Sequence, residues 1–143
     1  MKKISLILVI AFLFACSKEP QPIDYGKDAC NFCKMTIVDP IHGAELITTT
    51  GKIYKFDATE CLVHFTNAME KEKPEIFLTN HISNPKELTS VNEVSFLVSE
   101  ELPSPMGENI TAFPNTEKGQ EELQKYEGQV YSWQELIHHL SSK

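Results

Sequence analysis

The sequence predicts an α+β fold in which two small ββαβ units follow a flexible N-terminal tether. Three observations predict this architecture. β-prone and amphipathic segments follow one another in the order strand, strand, helix, strand, and this order occurs twice. Helix-capping signals occur at the points where the helices should begin. Residues 16–24 hold prolines and charged residues but little apolar material, as expected of a linker.

Residues 1–15 have the layout of a secretory signal peptide, with two lysines, an apolar run and a small residue at the end. The apolar run is shorter than the ~20 residues that a permanent membrane-spanning helix needs. Leu13-Phe14-Ala15-Cys16 resembles the lipobox of bacterial lipoproteins, which implies that Cys16 is lipidated and begins the mature chain. The alternative is an ordinary secretory signal with an incidental cysteine. We therefore expect a membrane-anchored lipoprotein of the cell envelope that faces the periplasm, with residues 16–24 as its lipidated tether.

Residues 25–143 are expected to form one folded domain, and its first unit spans about residues 25–85. A β-prone run and an alternating run, joined by a glycine turn, predict two strands. A capping box followed by apolar residues at helical spacing predicts a helix. The predicted elements are, in order, the strand Ala44–Thr50, the strand Ile53–Phe56, a helix that opens with the capping box Asp57–Glu60, and the strand Ile76–Leu78.

The second unit is expected over about residues 86–143 and repeats the order of the first. Polar residues suited to helix N-caps precede both of its predicted helices, and Gly128 suits a helix C-terminus. The predicted elements are, in order, the strand Val94–Val98, the strand Ile110–Phe113, a helix capped by Asn115 or Thr116, the strand Gln129–Tyr131, and a last helix opened by the capping box Ser132–Glu135.

The charge balance limits the partners that the chain can take. The formal net charge is −7, and removal of the two lysines in the leader makes the mature form more acidic still. Nucleic-acid binding needs basic clusters on the protein, so nucleic acid is not an expected partner. An acidic surface also disfavours anionic headgroups, so contact with the membrane is expected through the lipid anchor alone.

Cys30-x-x-Cys33 is the main chemical motif of the mature chain. Two thiolates at this spacing can bind one metal ion or form a disulfide. Lys34 follows the second cysteine, whereas covalent haem attachment needs histidine there, which excludes that chemistry. Two alternatives to metal transport stay open. One is a periplasmic thiol–disulfide oxidoreductase that uses Cys30 and Cys33, and the other is a structural lipoprotein stapled by zinc or by a disulfide between them.

Two methionines favour a soft metal ion. Met35 lies two residues after Cys33, and on an extended segment the two side chains would point to the same side. A thiolate and a thioether together suit copper(I) better than zinc. Met106 lies in the proline-rich turn Leu102–Gly107, which has no helical or strand periodicity, so it is a candidate ligand or a wall of the site. The alternative for both methionines is ordinary apolar packing.

Cys61 and three histidines are further candidates. Cys61 lies on the apolar face of the first predicted helix, where a cysteine is usually a small buried hydrophobe, so a core position is the first expectation and a ligand the second. His42, His64 and His81 are each candidates for one more copper ligand, and the sequence does not choose among them.

The motifs together resemble the NosL family, accessory lipoproteins of nitrous oxide reductase. The resemblance covers nearly the whole mature chain and rests on Asp28–Met35, on Tyr54–Asp57 followed by Cys61, and on Pro105-Met106-Gly107 leading to Ala112-Phe113. It implies a fold of two ββαβ units that is related to the organomercurial lyase fold. It also implies a site in which Cys33 and Met35 are ligands, Cys30 is an upstream cysteine and Met106 is a later methionine.

The same resemblance implies a function without catalytic turnover. The expected protein is a copper(I)-binding metallochaperone of the cell envelope that delivers copper for the assembly of nitrous oxide reductase. Its expected partners are apo nitrous oxide reductase and a membrane ABC-type complex for copper and sulfur maturation. A homodimer that shares one copper ion is a further arrangement if each chain offers only two good ligands.

Overall fold

The structure is a computed structural model and describes residues 18–142. The predicted signal peptide over residues 1–15 and the predicted lipidation of Cys16 lie outside the described residues. Within residues 18–142, no helix has the length and apolar character that crossing a membrane requires.

The first unit contains the predicted ββαβ series and one further strand. Its elements are β1 (Ala44–Thr48), β2 (Ile53–Phe56), α1 (Thr59–Asn67), β3 (Pro74–His81) and β4 (Asn84–Ser90). The strands form one antiparallel sheet in the order β2-β1-β3-β4. Every residue of the central strand β1 is buried, so this strand forms the middle of the unit.

The second unit begins after a short 3-10 turn, Val91–Glu93. Its elements are β5 (Val94–Val98), β6 (Ile110–Pro114), α2 (Glu117–Leu123), β7 (Gln129–Tyr131) and α3 (Trp133–Ser141). The three strands form a second antiparallel sheet in the order β6-β5-β7. The first strand of each unit therefore lies between the second and the third, and the prediction of a twofold ββαβ fold is confirmed.

The chain passes from the first sheet to the second later than the sequence predicts, because the strand β4 belongs to the first sheet. The predicted division at about residue 85 falls inside β4, which pairs with β3 and so belongs to the first sheet. No strand pattern is visible in this segment of the sequence, because the first half of β4 is exposed and holds Pro85, Lys86 and Glu87. Proline and charged residues are typical of edge strands, which natural proteins protect from further pairing in this way.

Helix capping follows the prediction at two of three helices. The Thr116 hydroxyl accepts a hydrogen bond from the Gly119 amide at the start of α2, and Ser132 with Glu135 forms the full capping box of α3. The capping box predicted at the start of α1 is wrong. Ala58 is the N-cap there and makes no side-chain cap, because the Asp57 side chain is buried one residue earlier.

The larger of two hydrophobic clusters extends through both units, and a smaller one of Leu97, Phe113 and Leu123 lies in the second unit. The ring of Trp133 at the start of α3 lies 5.4 Å from Phe77 of β3 and 5.7 Å from Phe96 of β5, measured between ring centroids. Burial of one such large side chain contributes about 2 kcal/mol. The Ile82 amide also donates to the Ala112 carbonyl across the two sheets at 3.1 Å. The two units therefore form one rigid scaffold around a shared core.

Part of the predicted tether lies against the first sheet. Ile23 is buried in the core, the Gln21 amide donates to the Glu45 carboxylate at 3.1 Å, and the ammonium of Lys18 contacts the Glu75 carboxylate at 2.5 Å. The folded domain therefore extends beyond its predicted start at residue 25, at least to Ile23.

Candidate metal centre

The Cys30–Lys34 segment is a tight reversal of the chain. The Cys30 amide donates to the Met35 carbonyl at 2.8 Å, and the Lys34 amide donates to the Cys30 carbonyl at 3.1 Å. Lys34 adopts a φ of 68°, a left-handed conformation that is uncommon outside glycine. The extended geometry predicted for Cys33-Lys34-Met35 is therefore wrong, because the chain turns at Lys34. The side chain of Met35 lies on the returning segment and is 48% exposed.

Asn31 fastens this loop to the first sheet. Its backbone amide donates to the Lys55 carbonyl at 2.8 Å, and its side-chain oxygen accepts from the Lys55 amide at 2.8 Å. Lys55 lies near the end of β2, and α1 begins four residues later at Thr59. These two hydrogen bonds hold the CxxC loop beside the start of α1, which carries Cys61.

Three thiols meet at this point. The sulfur atoms of Cys30, Cys33 and Cys61 all lie within 4.8 Å of one another, and none of these cysteines forms a disulfide. Cys30 and Cys61 are buried, whereas Cys33 is partly exposed. We call this group the thiol triad. It is close enough to bind a single metal ion, and Cys33 is the thiol through which solvent reaches it.

The three thiols differ in ionisation. The pKa of Cys30 is lowered to about 4, because its sulfur accepts hydrogen bonds from the Cys61 thiol and from the backbone amides of Asp57, Cys33 and Phe32. The hydrogen bond donated to Cys30 raises the pKa of Cys61, and burial raises it further. Burial also raises the pKa of Cys33. The metal-free triad therefore carries one preformed thiolate, Cys30, and two neutral thiols.

Phe32 and His64 lie together beside the loop. Their rings stack with centroids 5.6 Å apart and an angle of 23° between the planes. His64 lies one helical turn after Cys61, so this contact also ties the loop to α1. Within residues 18–142, the cluster of potential ligands that lie within 4.8 Å of one another consists of thiols alone, without His64.

The other two candidate histidines lie apart from that cluster. His42 is buried between the units, with Nδ1 2.9 Å from the Asp39 carboxylate and Nε2 3.0 Å from the Thr111 hydroxyl. His81 lies at the end of β3, where burial lowers its pKa and favours the neutral ring. His42 therefore has a structural role between the units, and the structure does not place His81 with the thiols.

Met106 lies in the β5–β6 loop of the second unit, and its side chain is 40% exposed. Ser104 of the same loop donates a hydrogen bond to the carboxylate of Glu60, the residue that precedes Cys61 on α1. This contact brings the loop to the helix that carries part of the thiol triad. Cys16, the predicted site of lipidation, lies outside the described residues.

The sequence located the thiols of the CxxC motif but ranked Cys61 first as core and did not single out Asn31 or Glu60. Cys61 is buried as expected, yet its thiol also belongs to the triad. The signal that pointed to it was its fixed place four residues after Tyr54–Asp57. No local pattern marked Asn31, and Glu60 was marked only as part of the predicted capping box, because both act through residues distant in the sequence.

Comparison with known proteins gives the following matches. The family model described as NosL matches residues 22–141. A solved structure, the crystal structure of the copper chaperone NosL from Shewanella denitrificans, is similar with a TM-score of 0.69 and 23% identity, over 83% of this chain and 96% of that chain. At this identity the structural likeness shows the fold. No curated protein sequence matches the chain.

Proposed function

The chain belongs to the NosL family, and on that premise we propose that it is a copper(I)-binding metallochaperone of the cell envelope and not an enzyme. The observation that carries the proposal is the thiol triad, in which three sulfur atoms lie within 4.8 Å of one another. Soft sulfur ligands favour copper(I), zinc and iron–sulfur clusters over harder ions, and a thioether beside them suits copper(I) better than zinc. A solved relative of the same fold is named a copper chaperone, which supports the same metal.

The proposed ligands are the thiols of Cys30, Cys33 and Cys61, with the thioethers of Met35 and Met106 on the exposed side. The two methionines are among the exposed large apolar residues of the described chain, as a thioether that meets an incoming ion must be. A structural zinc site usually has four thiolate or imidazole ligands and is closed to solvent. The thiol triad offers three thiols and is open at Cys33, which supports a transport site over a zinc staple.

Cys33 is the proposed point of copper exchange. Cys30 and Cys61 are buried, so a partner's ligand reaches copper first on the side of Cys33. The preformed thiolate at Cys30 gives the ion an anionic ligand at neutral pH, while binding to the other two thiols releases their protons. The buried thiols of Cys30 and Cys61 thus hold copper on the protein side, and copper leaves by ligand exchange on the exposed side of Cys33.

The ionisation of the triad does not favour a thiol–disulfide oxidoreductase. Such an enzyme attacks its substrate with an accessible cysteine of lowered pKa. In this chain the lowered pKa belongs to the buried Cys30, whereas the accessible Cys33 has a raised pKa. The nucleophile and the accessible position are therefore different residues.

The proposed recipient is apo nitrous oxide reductase, reached in concert with a membrane ABC-type maturation complex. The proposed anchor is a lipid on Cys16, which would keep the chaperone at the membrane and facing the periplasm. This assignment rests on what the resemblance to the accessory lipoproteins of nitrous oxide reductase implies. Its test is to mix the copper-loaded protein with apo nitrous oxide reductase, separate the two and measure copper in each. Copper found in the reductase supports the assignment, and copper retained by the chaperone contradicts it.

Copper(I) binding itself is tested by titrating the reduced protein against a coloured copper(I) chelator. We expect the protein to remove copper from the chelator, and we expect Cys33→Ala, Met35→Leu and Met106→Leu to weaken this competition. Met69→Leu, just after the end of α1, is the matched control, because this methionine packs against the core outside the proposed site. Failure of the wild-type protein to compete at any stoichiometry would refute the proposal.

A further inference from the structure

Glu60 is a carboxylate in an unusual position. Its side chain is fully buried, and it directly precedes Cys61 in the first turn of α1. Burial of a carboxylate is unfavourable unless hydrogen bonds compensate for the lost water. Desolvation raises the pKa of Glu60, and a hydrogen bond from Ser104 opposes that rise. A carboxylate whose burial costs free energy is expected to hold a neighbouring segment of the chain in place.

The partners of Glu60 come from the β5–β6 loop of the second unit. The Ser104 hydroxyl donates to Oε1 of Glu60 at 2.5 Å, and Met106 follows two residues later in the same loop. The loop is also closed on itself, since the Gly107 amide donates to the Ser104 carbonyl at 3.0 Å. The backbone around Met106 is therefore fixed to α1, while the thioether side chain remains partly exposed.

We propose that Glu60 is a positioning residue that holds the thioether of Met106 beside the thiol triad. The proposal rests on the proposed function, because it assumes that Met106 binds the copper that the triad holds. Glu60 and Cys61 are neighbours on one rigid helical turn, so the loop fixed by Glu60 keeps a constant relation to the Cys61 thiol. Partners that orient a metal ligand without touching the metal typically change its affinity when they are removed.

The test is a double-mutant cycle on copper(I) affinity, measured by chelator competition on the reduced mature protein. Glu60→Ala is expected to weaken binding by about 10- to 100-fold, the usual effect of losing an orienting partner, and Met106→Leu, which removes the ligand itself, by at least as much. The copper(I) affinity of the double variant is expected to be no lower than that of the weaker-binding single variant, because both changes remove the same contact of Met106 with copper. Ser104→Ala is expected to weaken binding in the same direction.

Two further variants separate positioning from a purely structural role. Glu60→Gln keeps an oxygen that accepts from Ser104, so it should restore affinity to within a few-fold of the wild type. Ser95→Ala is the matched control, since the Ser95 hydroxyl donates to Asn115 and not to Glu60. If Glu60→Ala does not fold, the cycle of Ser104→Ala with Met106→Leu decides the question in its place.

Three results would overturn the inference. Multiplicative effects of Glu60→Ala and Met106→Leu would show that the two residues act independently. Unchanged copper(I) affinity in Glu60→Ala, or in Met106→Leu, would show that the contact of Glu60 with the β5–β6 loop does not affect copper binding. A wild-type protein that binds no copper(I) would instead refute the proposed function, so the two failures are distinguishable.

Discussion

At the residue scale, the chemistry of the site depends on which thiol is ionised. Cys30 accepts hydrogen bonds from three backbone amides and from the Cys61 thiol, which together outweigh the effect of its burial. Because the folded-state pKa lies below the unfolded value, ionised Cys30 stabilises the fold at high pH. This contribution is complete above the unfolded value of about 8.5 and is lost as the pH falls through about 4.

The number of thiolates per chain can be measured directly. At about pH 6, between the folded value of about 4 and the unfolded thiol value, we expect one thiolate per reduced, metal-free chain in ultraviolet absorbance. Unfolding in denaturant at that pH should abolish the signal, and so should Cys30→Ser. A folded wild-type protein without thiolate absorbance at this pH would contradict the described hydrogen bonds.

The left-handed Lys34 is a second feature at this scale, because it turns the chain between Cys33 and Met35. A β-carbon in this conformation costs about 1 kcal/mol relative to glycine. Lys34→Gly should therefore be more stable than Lys34→Ala, although both lose the ammonium group that contacts the Asn31 carbonyl. Thermal unfolding of the two variants measures the difference. Equal stability, or a more stable alanine variant, would contradict the left-handed geometry.

The candidate site could be predicted from the sequence only where its residues are local. Cys30 and Cys33 lie in one motif, so their proximity needs no knowledge of the fold. Cys61 joins them because Asn31 fastens the loop to β2, and a contact between two separate segments leaves no local pattern. The same reason explains why Glu60 was not singled out.

At the element scale, local sequence patterns predicted the three helices and six of the seven strands of residues 18–142, and missed β4. The strand propensity of β2 and the capping of α2 and α3 are local properties that the fold retains. β4 has half of its residues exposed and pairs on one side only, so its sequence carries little apolar pattern. The cap of α1 was mispredicted because tertiary burial of Asp57 overrides its local preference.

The central strand β1 carries a buried carboxylate whose effect on stability depends on pH. Burial raises the pKa of Glu45 to about 7, above its ordinary value of 4.5. The folded state therefore favours the protonated form, and the protein loses stability as the pH rises from about 4.5 through about 7.

Glu45→Gln should remove this loss while keeping an oxygen that accepts from the Gln21 amide. We expect the variant to unfold at a higher temperature than the wild type at about pH 8, with the difference vanishing near pH 4. Glu75→Gln on the exposed surface of β3 is the control. A pH-independent difference between Glu45→Gln and the wild type would rule out this origin.

At the scale of the whole molecule, the two units repeat one topology but contribute differently to the site. The thiol triad belongs entirely to the first unit, through the CxxC loop and α1. To the proposed site the second unit contributes the loop of Met106, which the hydrogen bond from Ser104 to Glu60 ties to α1. The shared core, in which Trp133 contacts both sheets, holds the two contributions in a constant relation. The twofold order of elements was predictable from the sequence, but the unequal use of the two units was not.

The most direct test of the account is the copper(I) affinity of Cys61→Ser, because the sequence placed this residue first in the core and the structure places its thiol in the triad. We expect chelator competition to show a loss of more than about 10- to 100-fold, since a ligand should matter more than a residue that orients one. Val63→Ala, buried on the same helix, is the control for packing and should keep the wild-type affinity. Unchanged copper(I) affinity in a folded Cys61→Ser protein would contradict the account.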